Sequence, residues 1–108
     1  MKARNLAAIG TFVLLASATP SATFAEDGAA MFKSRCGPCH GADGSGNTPM
    51  GKKNGAKALG SAEVQKQSDA DMQKVISDGK GKMPAFSSRL TADQITQLVK
   101  FIRTLQAK

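Results

Sequence analysis

The sequence contains no tryptophan, no tyrosine, one histidine and two cysteines. The single histidine excludes any site that needs two imidazole ligands from this chain alone. Two cysteines are too few for the four-cysteine sites that hold structural zinc. No run of alternating β-branched residues occurs either, so no β-sheet is predicted and the fold must be built from helices.

Acidic side chains are also scarce. The chain has eight aspartates and glutamates against fifteen lysines and arginines, which gives a formal net charge of +7. Nucleic acid is nevertheless a poor candidate partner, because the charge is modest and no tryptophan or tyrosine is present on which bases could stack. A basic surface of this size favours docking to acidic patches on other proteins.

Long apolar runs are missing as well. The stretch at residues 6–18 is shorter than the ~20 apolar residues that a membrane-spanning helix needs. Two basic residues precede it, and a small residue, Ala25, stands just before charge begins. This order predicts a secretory signal peptide over residues 1–25, with a membrane anchor as the alternative. Cleavage would leave a mature domain of residues 26–108 and lower the net charge from +7 to +5, through loss of two basic residues.

Both cysteines and the only histidine lie in one motif, Cys36-Gly37-Pro38-Cys39-His40. Its first four residues match the dithiol motif of thiol-disulfide oxidoreductases, whereas all five match the Cys-x-x-Cys-His site of c-type haem attachment. Cys36 and Cys39 lie about one helical turn apart, as thioethers to the two haem vinyl groups require. His40 is then placed to bind the iron, for which imidazole is a good ligand.

Two alternative functions of the motif fit the sequence less well. A reactive dithiol needs its first cysteine at the N-terminus of a helix that follows a strand, where the helix dipole stabilises a thiolate. Here the cysteines are predicted at the C-terminal end of a helix over residues 27–36, where the dipole disfavours a thiolate. A structural zinc site needs four ligands, and the motif offers three.

The sixth iron ligand decides between electron transfer and small-molecule binding. Met31 and Met72 are predicted on helix faces as core residues, and Met50 is too close to His40 in sequence to reach the opposite face of a haem. Met83 lies in a glycine-rich loop before a proline and is the favoured axial ligand. Without it the haem would be five-coordinate, and the protein would be a gas sensor or a weak peroxidase.

Helical periodicity is clearest near the C-terminus. Thr91 and Gln94 predict a capping box that starts a helix over residues 92–106. The apolar face of this helix consists of Ile95, Leu98, Val99, Ile102 and Leu105. The remaining predicted segments are helices at 27–36 and 69–78, a turn of helix at 61–66, and glycine-rich loops at 41–60 and 79–88.

Residues 27–106 resemble the small bacterial monohaem c-type cytochromes of class I, similar to the c6 and c553-like proteins. The resemblance rests on the motif at residues 36–41, on the Met-Pro loop at residues 81–86, and on four residues that match a packed helix crossing: Gly28, Phe32, Leu98 and Phe101. It implies an all-α small cytochrome c fold in which three to four helices wrap around one covalent haem c. The N- and C-terminal helices are expected to cross.

The resemblance also implies roles for individual residues. The carbonyl of Pro49 is expected to accept the N–H of the His40 imidazole and so to orient the ring. Many relatives use a tryptophan or tyrosine to hydrogen-bond the haem propionates, and this chain has neither. The possible substitutes are Arg89, Lys57, Asn54 and Gln65.

These features predict a periplasmic one-electron carrier rather than an enzyme. The protein is expected to be a monomer without stable membrane insertion and without a nucleic-acid partner. Its redox partners, a reductase or an oxidase, would present acidic docking patches. They would meet a basic rim formed by Lys52, Lys53, Lys57, Lys80, Lys82 and Arg89.

Overall fold

The computed structural model describes residue 10 and residues 27–107, and this part of the chain is helical. It contains no β-strand, only one isolated antiparallel bridge between Lys80 and Met83. The predicted all-α fold is therefore confirmed. In chain order the elements are α1 (Gly28–Met31), a π-helical segment (Phe32–Cys36), α2 (Gly37–His40), α3 (Pro49–Asn54), α4 (Ala62–Gln65), α5 (Asp69–Asp78) and α6 (Ala92–Thr104).

The predicted signal peptide, residues 1–25, lies outside the described residues except for Gly10. Among the residues that are described, no helix is both long and apolar enough to cross a membrane.

The first helical region is longer than the predicted helix over residues 27–36. Helical backbone continues through the π-helical segment and α2 as far as His40. Pro38 does not end it, because proline is tolerated in the first turn of a helix, where its missing N–H has no intrahelical partner. Gly41, with a φ of 80°, terminates α2. All five residues of the motif at 36–40 therefore have helical backbone, whereas the sequence placed only Cys36 at the end of a helix.

The two longest helices begin and end close to where the sequence predicts. The Ser68 side chain accepts a hydrogen bond from the Asp71 amide at the start of α5, and Gly79 ends that helix. At the start of α6, Thr91 and Gln94 exchange hydrogen bonds of 2.8 and 3.1 Å, which is the predicted capping box.

The third helix is absent from the predictions, which placed a loop at residues 41–60. Helix α3 begins at Pro49, and the Thr48 side chain accepts a hydrogen bond of 2.9 Å from the Gly51 amide as its cap. Gly55 ends the helix in the left-handed conformation, with a φ of 71°. A threonine cap, a proline at the first position and a terminal glycine are recognised helix signals, and the high glycine content of the segment obscured them.

The first and last helices cross, as predicted, at a glycine. A Cβ atom on Gly28 would lie 2.6 Å from the Gln97 carbonyl oxygen, so only glycine allows this approach. Beside it the rings of Phe32 and Phe101 stack at a tilt, with centroids 4.9 Å apart. Leu98 is fully buried at the same crossing. The crossing thus forms the centre of the core and fixes the helix that carries the motif.

Arg103 ties α6 to the segment between α4 and α5. Its guanidinium donates hydrogen bonds to the Asp69 carboxylate (2.9 Å), to the Gln65 carbonyl oxygen (2.7 Å) and to the Gln67 carbonyl oxygen. The Gln65 side-chain amide in turn donates to the carbonyl oxygens of Leu59 and Ile102. Gln65, one of the predicted propionate partners, is therefore engaged in holding the fold together.

Candidate cofactor site

Two adjoining cavities of about 200 and 400 Å³ open between the motif helix and the loop after α5. Ligand pockets in proteins commonly enclose about 300–1,000 Å³. The two cavities share His40 and Met83 in their walls, together with Asn54, Gly55, Lys80 and Lys82. These shared residues make them two parts of one site, at which the predicted imidazole and thioether meet.

Both motif cysteines line the smaller cavity with His40. Helical backbone from Phe32 to His40 places the two thiols one turn apart on the cavity wall. Both are half-buried free thiols. Burial raises the pKa of Cys36 to about 11, although the neighbouring Arg35 guanidinium acts in the opposite direction. Because a dithiol oxidoreductase needs a low thiol pKa, this environment disfavours that function.

His40 presents a neutral imidazole to both cavities. Burial lowers the pKa of this ring, and a neutral imidazole is the form that binds a metal. Its Nδ1 atom is buried and has no hydrogen-bond partner among the described residues. The His40 backbone is held separately, because its carbonyl oxygen accepts a bond of 2.7 Å from the Gly46 amide.

The predicted hydrogen bond from His40 to the Pro49 carbonyl is not formed in this structure, since Nδ1 has no partner. Pro49 lies at the first position of α3 and is exposed. Its role in orienting the imidazole stays a prediction. Helix α3 nevertheless packs beneath the motif, because the Thr48 hydroxyl donates a hydrogen bond of 2.7 Å to the Cys39 carbonyl oxygen. A Cβ atom on Gly51 would clash with that same oxygen.

Met83 is held in a tight turn at the cavity wall. The amide of Lys80 donates to the Met83 carbonyl oxygen at 3.1 Å, and the amide of Met83 donates to the Lys80 carbonyl oxygen at 2.9 Å. The Met83 side chain is half-buried and packs against the core. It lines both cavities, including the smaller one that contains the two thiols.

The other three methionines of the predicted mature domain lie elsewhere. Met31 is fully buried in the core, and Met50 is 50% exposed and lines neither cavity. Met72 is buried on α5 and lines the larger cavity only. Met83 is therefore the methionine that shares a wall with all three residues of the motif.

Lysines and an arginine surround the cavities. Arg35, Lys80 and Lys82 line the smaller cavity, and Lys57, Lys80 and Lys82 line the larger one. Lys57 also forms an exposed ion pair of 2.6 Å with Glu63. Within residues 27–107, no carboxylate lines either cavity. The site is therefore apolar inside and basic at its edge, and Arg35 belongs to that edge although sequence reasoning missed it.

Some residues of the predicted basic rim and some predicted propionate partners line the cavities, and others do not. Lys52 and Lys53 lie in the last turn of α3, and Arg89 lies over the Phe86 ring, 5.9 Å from its centroid. Arg89 and Gln65 are not among the residues that line the cavities, whereas Asn54 and Lys57 are.

The residues around the cavities fit a covalently attached haem better than a bare metal ion. Two thiols one helical turn apart, a neutral imidazole and a thioether surround a space with apolar walls. No group of three or more histidine, cysteine, aspartate or glutamate side chains that could hold a metal ion occurs in the described part of the chain. The zinc alternative therefore has no support, and soft sulfur and imidazole ligands suit haem iron.

Comparisons with known proteins point in the same direction. The family described as "Cytochrome C oxidase, cbb3-type, subunit III" matches residues 23–102. Cytochrome c6 of Gloeothece citriformis is 31% identical, over 94% of this chain and 93% of that protein. The cbb3-type cytochrome c oxidase subunit FixP of Rhizobium etli is 33% identical over 90% of this chain, which spans only 33% of FixP.

Solved structures show the same likeness. The KustC0563 c-type cytochrome superposes with a TM-score of 0.70 at 32% identity, covering 75% of this chain and 99% of that one. The c-type cytochrome NirC superposes with a TM-score of 0.61 at 20% identity, which shows a shared fold.

Proposed function

The chain belongs to the family of small monohaem class I c-type cytochromes, which hold one covalently bound haem c, and on this premise we propose that it is a one-electron carrier of the bacterial periplasm. The observation that carries the proposal is that Cys36, Cys39, His40 and Met83 line one cavity, although the last two are 43 positions apart in sequence.

The two cysteines attach the cofactor. Cys36 and Cys39 lie on one stretch of helical backbone and line the smaller cavity, where each thiol would form a thioether to a haem vinyl group. Two hydrogen bonds hold the backbone of this stretch: the Thr48 hydroxyl donates to the Cys39 carbonyl oxygen, and the Gly46 amide donates to the His40 carbonyl oxygen. This support would hold the anchoring residues in place around a bound haem.

His40 and Met83 are the proposed axial ligands, and no position at the iron is then left for a substrate. When bound, the haem supplies an iron that accepts and returns one electron. With haem bound, the soft Met83 sulfur would stabilise the reduced state, and the apolar cavity walls would disfavour the additional positive charge of the oxidised state. Both effects raise the reduction potential. A five-coordinate gas sensor or weak peroxidase would lack the Met83 bond.

Redox partners with acidic docking patches fit the charge around the site. Arg35, Lys80 and Lys82 line the smaller cavity, and no carboxylate faces them from the cavity wall. A basic edge around the point of electron exit steers an acidic partner during diffusion, with an association rate that falls as salt increases. Relatives named as cytochrome c6 and as an oxidase subunit support transfer to or from other proteins.

The periplasmic location rests on the predicted signal peptide over residues 1–25, and the proposed carrier acts there as a monomer. It is not itself an enzyme, because its iron would have both axial positions filled.

The function is tested on full-length protein exported to the periplasm of a host that attaches c-type haem. Absorption in alkaline pyridine counts covalent haems, and the spin state of the ferric protein reports the sixth ligand. We expect one haem per chain and a low-spin ferric form that cyanide enters slowly. A high-spin ferric form with rapid cyanide binding would support the five-coordinate alternative instead.

A further inference from the structure

The turn that carries Met83 is closed by backbone hydrogen bonds within the protein. Lys80 and Met83 exchange two backbone hydrogen bonds, at 2.9 and 3.1 Å. The chain that follows is fastened to α5, because the Phe86 amide donates to the Ile76 carbonyl oxygen (3.0 Å) and the Ser87 amide donates to the Ser77 carbonyl oxygen (3.1 Å). The turn therefore has its own fixed geometry on the end of that helix.

Gly79 lies at the base of this turn, against the backbone of Met83 and the residues after it. It ends α5 with a φ of 77° and a ψ of 167°, a backbone region that is almost restricted to glycine. A Cβ atom here would lie 2.7 Å from the Met83 carbonyl oxygen, 2.9 Å from the Ala85 nitrogen and 3.0 Å from the Pro84 carbonyl carbon. All three are backbone atoms, so a side chain at position 79 would force Met83 and its neighbours to move.

Gly81, two residues further on, provides a natural contrast. It also has a positive φ, 57°, but no atom of the described residues lies within 4 Å of the position its Cβ would occupy. A side chain at Gly81, which lines the larger cavity, would strain the backbone locally but would not contact the Met83 backbone. The two glycines therefore separate the effect of local strain from the effect of displacing the methionine.

We propose that Gly79 is a positioning residue for Met83: because it has no side chain, the Lys80–Met83 turn can close against the end of α5 and hold the methionine sulfur at the cavity wall. This inference rests on the proposed role of Met83 as an axial ligand. It adds that the sulfur is presented by a turn assembled before the iron bond forms. The bond between Met83 and the iron then does not have to order the loop. Ordering a flexible loop would cost conformational entropy and so weaken that bond.

The test titrates ferric holoprotein with imidazole, which competes with Met83 for the sixth position of the iron. The absorption spectrum monitors imidazole binding and gives its affinity. Weaker positioning of Met83 makes displacement easier. We expect Gly79→Ala to bind imidazole roughly tenfold more tightly than the wild type, which corresponds to about 1.4 kcal/mol. Gly81→Ala is expected to bind it within about twofold of the wild type, although backbone strain destabilises its fold. Equal imidazole affinity in the two variants would overturn the inference.

A measurement on the wild type applies even where Gly79→Ala does not yield holoprotein. Amide hydrogen exchange of Lys80 and Met83 is followed in ferric protein saturated with imidazole, so that the methionine is off the iron. A turn assembled by the protein keeps both amides protected. Exchange at the rate of an unstructured peptide would show that the iron bond orders the turn, which would overturn the inference.

Met83→Ala separates this inference from the proposed function. In that variant imidazole affinity must exceed the wild-type value, because no sulfur competes. If it does not, the ligand assignment itself fails. If it does, while Gly79→Ala behaves as wild type, only the positioning role of Gly79 is wrong.

Discussion

The Thr48 hydroxyl donates a hydrogen bond of 2.7 Å to the Cys39 carbonyl oxygen, and so joins the start of α3 to the second haem-anchoring cysteine. The Thr48 hydroxyl oxygen in turn accepts a hydrogen bond of 2.9 Å from the Gly51 amide, which caps α3. One side chain thus begins a helix and supports the backbone of the motif.

Replacement of Thr48 by valine should destabilise the holoprotein by about 1–3 kcal/mol, because both the helix cap and the bond to the Cys39 carbonyl are lost. Urea unfolding of ferric protein, followed by circular dichroism, measures the change. Thr48→Ser is the matched control, since it keeps the hydroxyl, and should stay within about 0.5 kcal/mol of the wild type. Equal losses in the two variants would show that the hydroxyl contributes no more than the methyl group, which would contradict the role given to the two hydrogen bonds.

The crossing of α1 and α6 should not tolerate a methyl group at Gly28. Because its Cβ would lie 2.6 Å from the Gln97 carbonyl oxygen, Gly28→Ala is expected to destabilise the fold by about 1–3 kcal/mol. Gly37→Ala is the control, since Gly37 is also helical and its nearest Cβ neighbour is 3.7 Å away. We expect that change to be neutral or to stabilise by up to about 1 kcal/mol. Thermal unfolding of the two variants checks the contrast. A Gly28→Ala protein as stable as the wild type would contradict the observed packing.

Removal of the Met83 sulfur should lower the reduction potential, because thioether ligation favours the ferrous state. A tenfold change in the relative stability of the two oxidation states corresponds to about 59 mV, and Met83→Ala should shift the potential down by at least that amount. Met72→Leu tests the second methionine that lines the larger cavity. Protein-film voltammetry should show Met72→Leu close to the wild type, since the two side chains have similar volume. A large fall for Met72→Leu alone would move the ligand assignment to Met72.

The basic edge of the site should control how fast charged reagents exchange electrons. Replacing Lys80 and Lys82 by glutamine should slow reduction by anionic hexacyanoferrate on the order of tenfold at low ionic strength, and the effect should disappear near 1 M salt, where screening acts over about 3 Å. Replacing Lys74 and Lys100, which are exposed and line neither cavity, removes the same charge elsewhere.

The control pair should change this rate far less than the pair at the cavities. A cationic hexaammineruthenium reagent serves as a second control, because a change in reduction potential would shift both rates in the same direction, whereas loss of positive charge slows the anionic reaction and speeds the cationic one. Slowing by both lysine pairs to the same extent would show that net charge, and not its position, governs the encounter.

What the sequence reveals depends on whether the determining signal is local. Helix α6 was predicted because its capping residues and its periodic apolar face lie within one segment, and α5 for the same reason. Helix α3 was missed, although its cap and proline are local, because repeated glycines suggested a loop. The continuation of helix through Pro38 depends on the preceding π-helical segment, which no periodicity indicated.

The site was recognised from the spacing of Cys36, Cys39 and His40, and Met83 from the proline that follows it. The contributions of Arg35 and Thr48 depend on which surfaces face one another across the fold. Arg35 directly precedes Cys36 in sequence, but only the fold shows that it lines the cavity, and nothing next to Thr48 in sequence indicates its bond to the Cys39 carbonyl. The same holds for Gly79, whose importance lies in the position of the Met83 carbonyl oxygen and not in its own neighbours.

X-ray absorption at the iron edge tests the central claim most directly, since it identifies the atoms bound to the iron in holoprotein. Coordination by the porphyrin, His40 and Met83 predicts five nitrogen scatterers and one sulfur scatterer in both the ferric and the ferrous protein. A first coordination shell made of nitrogen and oxygen alone, with no sulfur in either oxidation state, would contradict it.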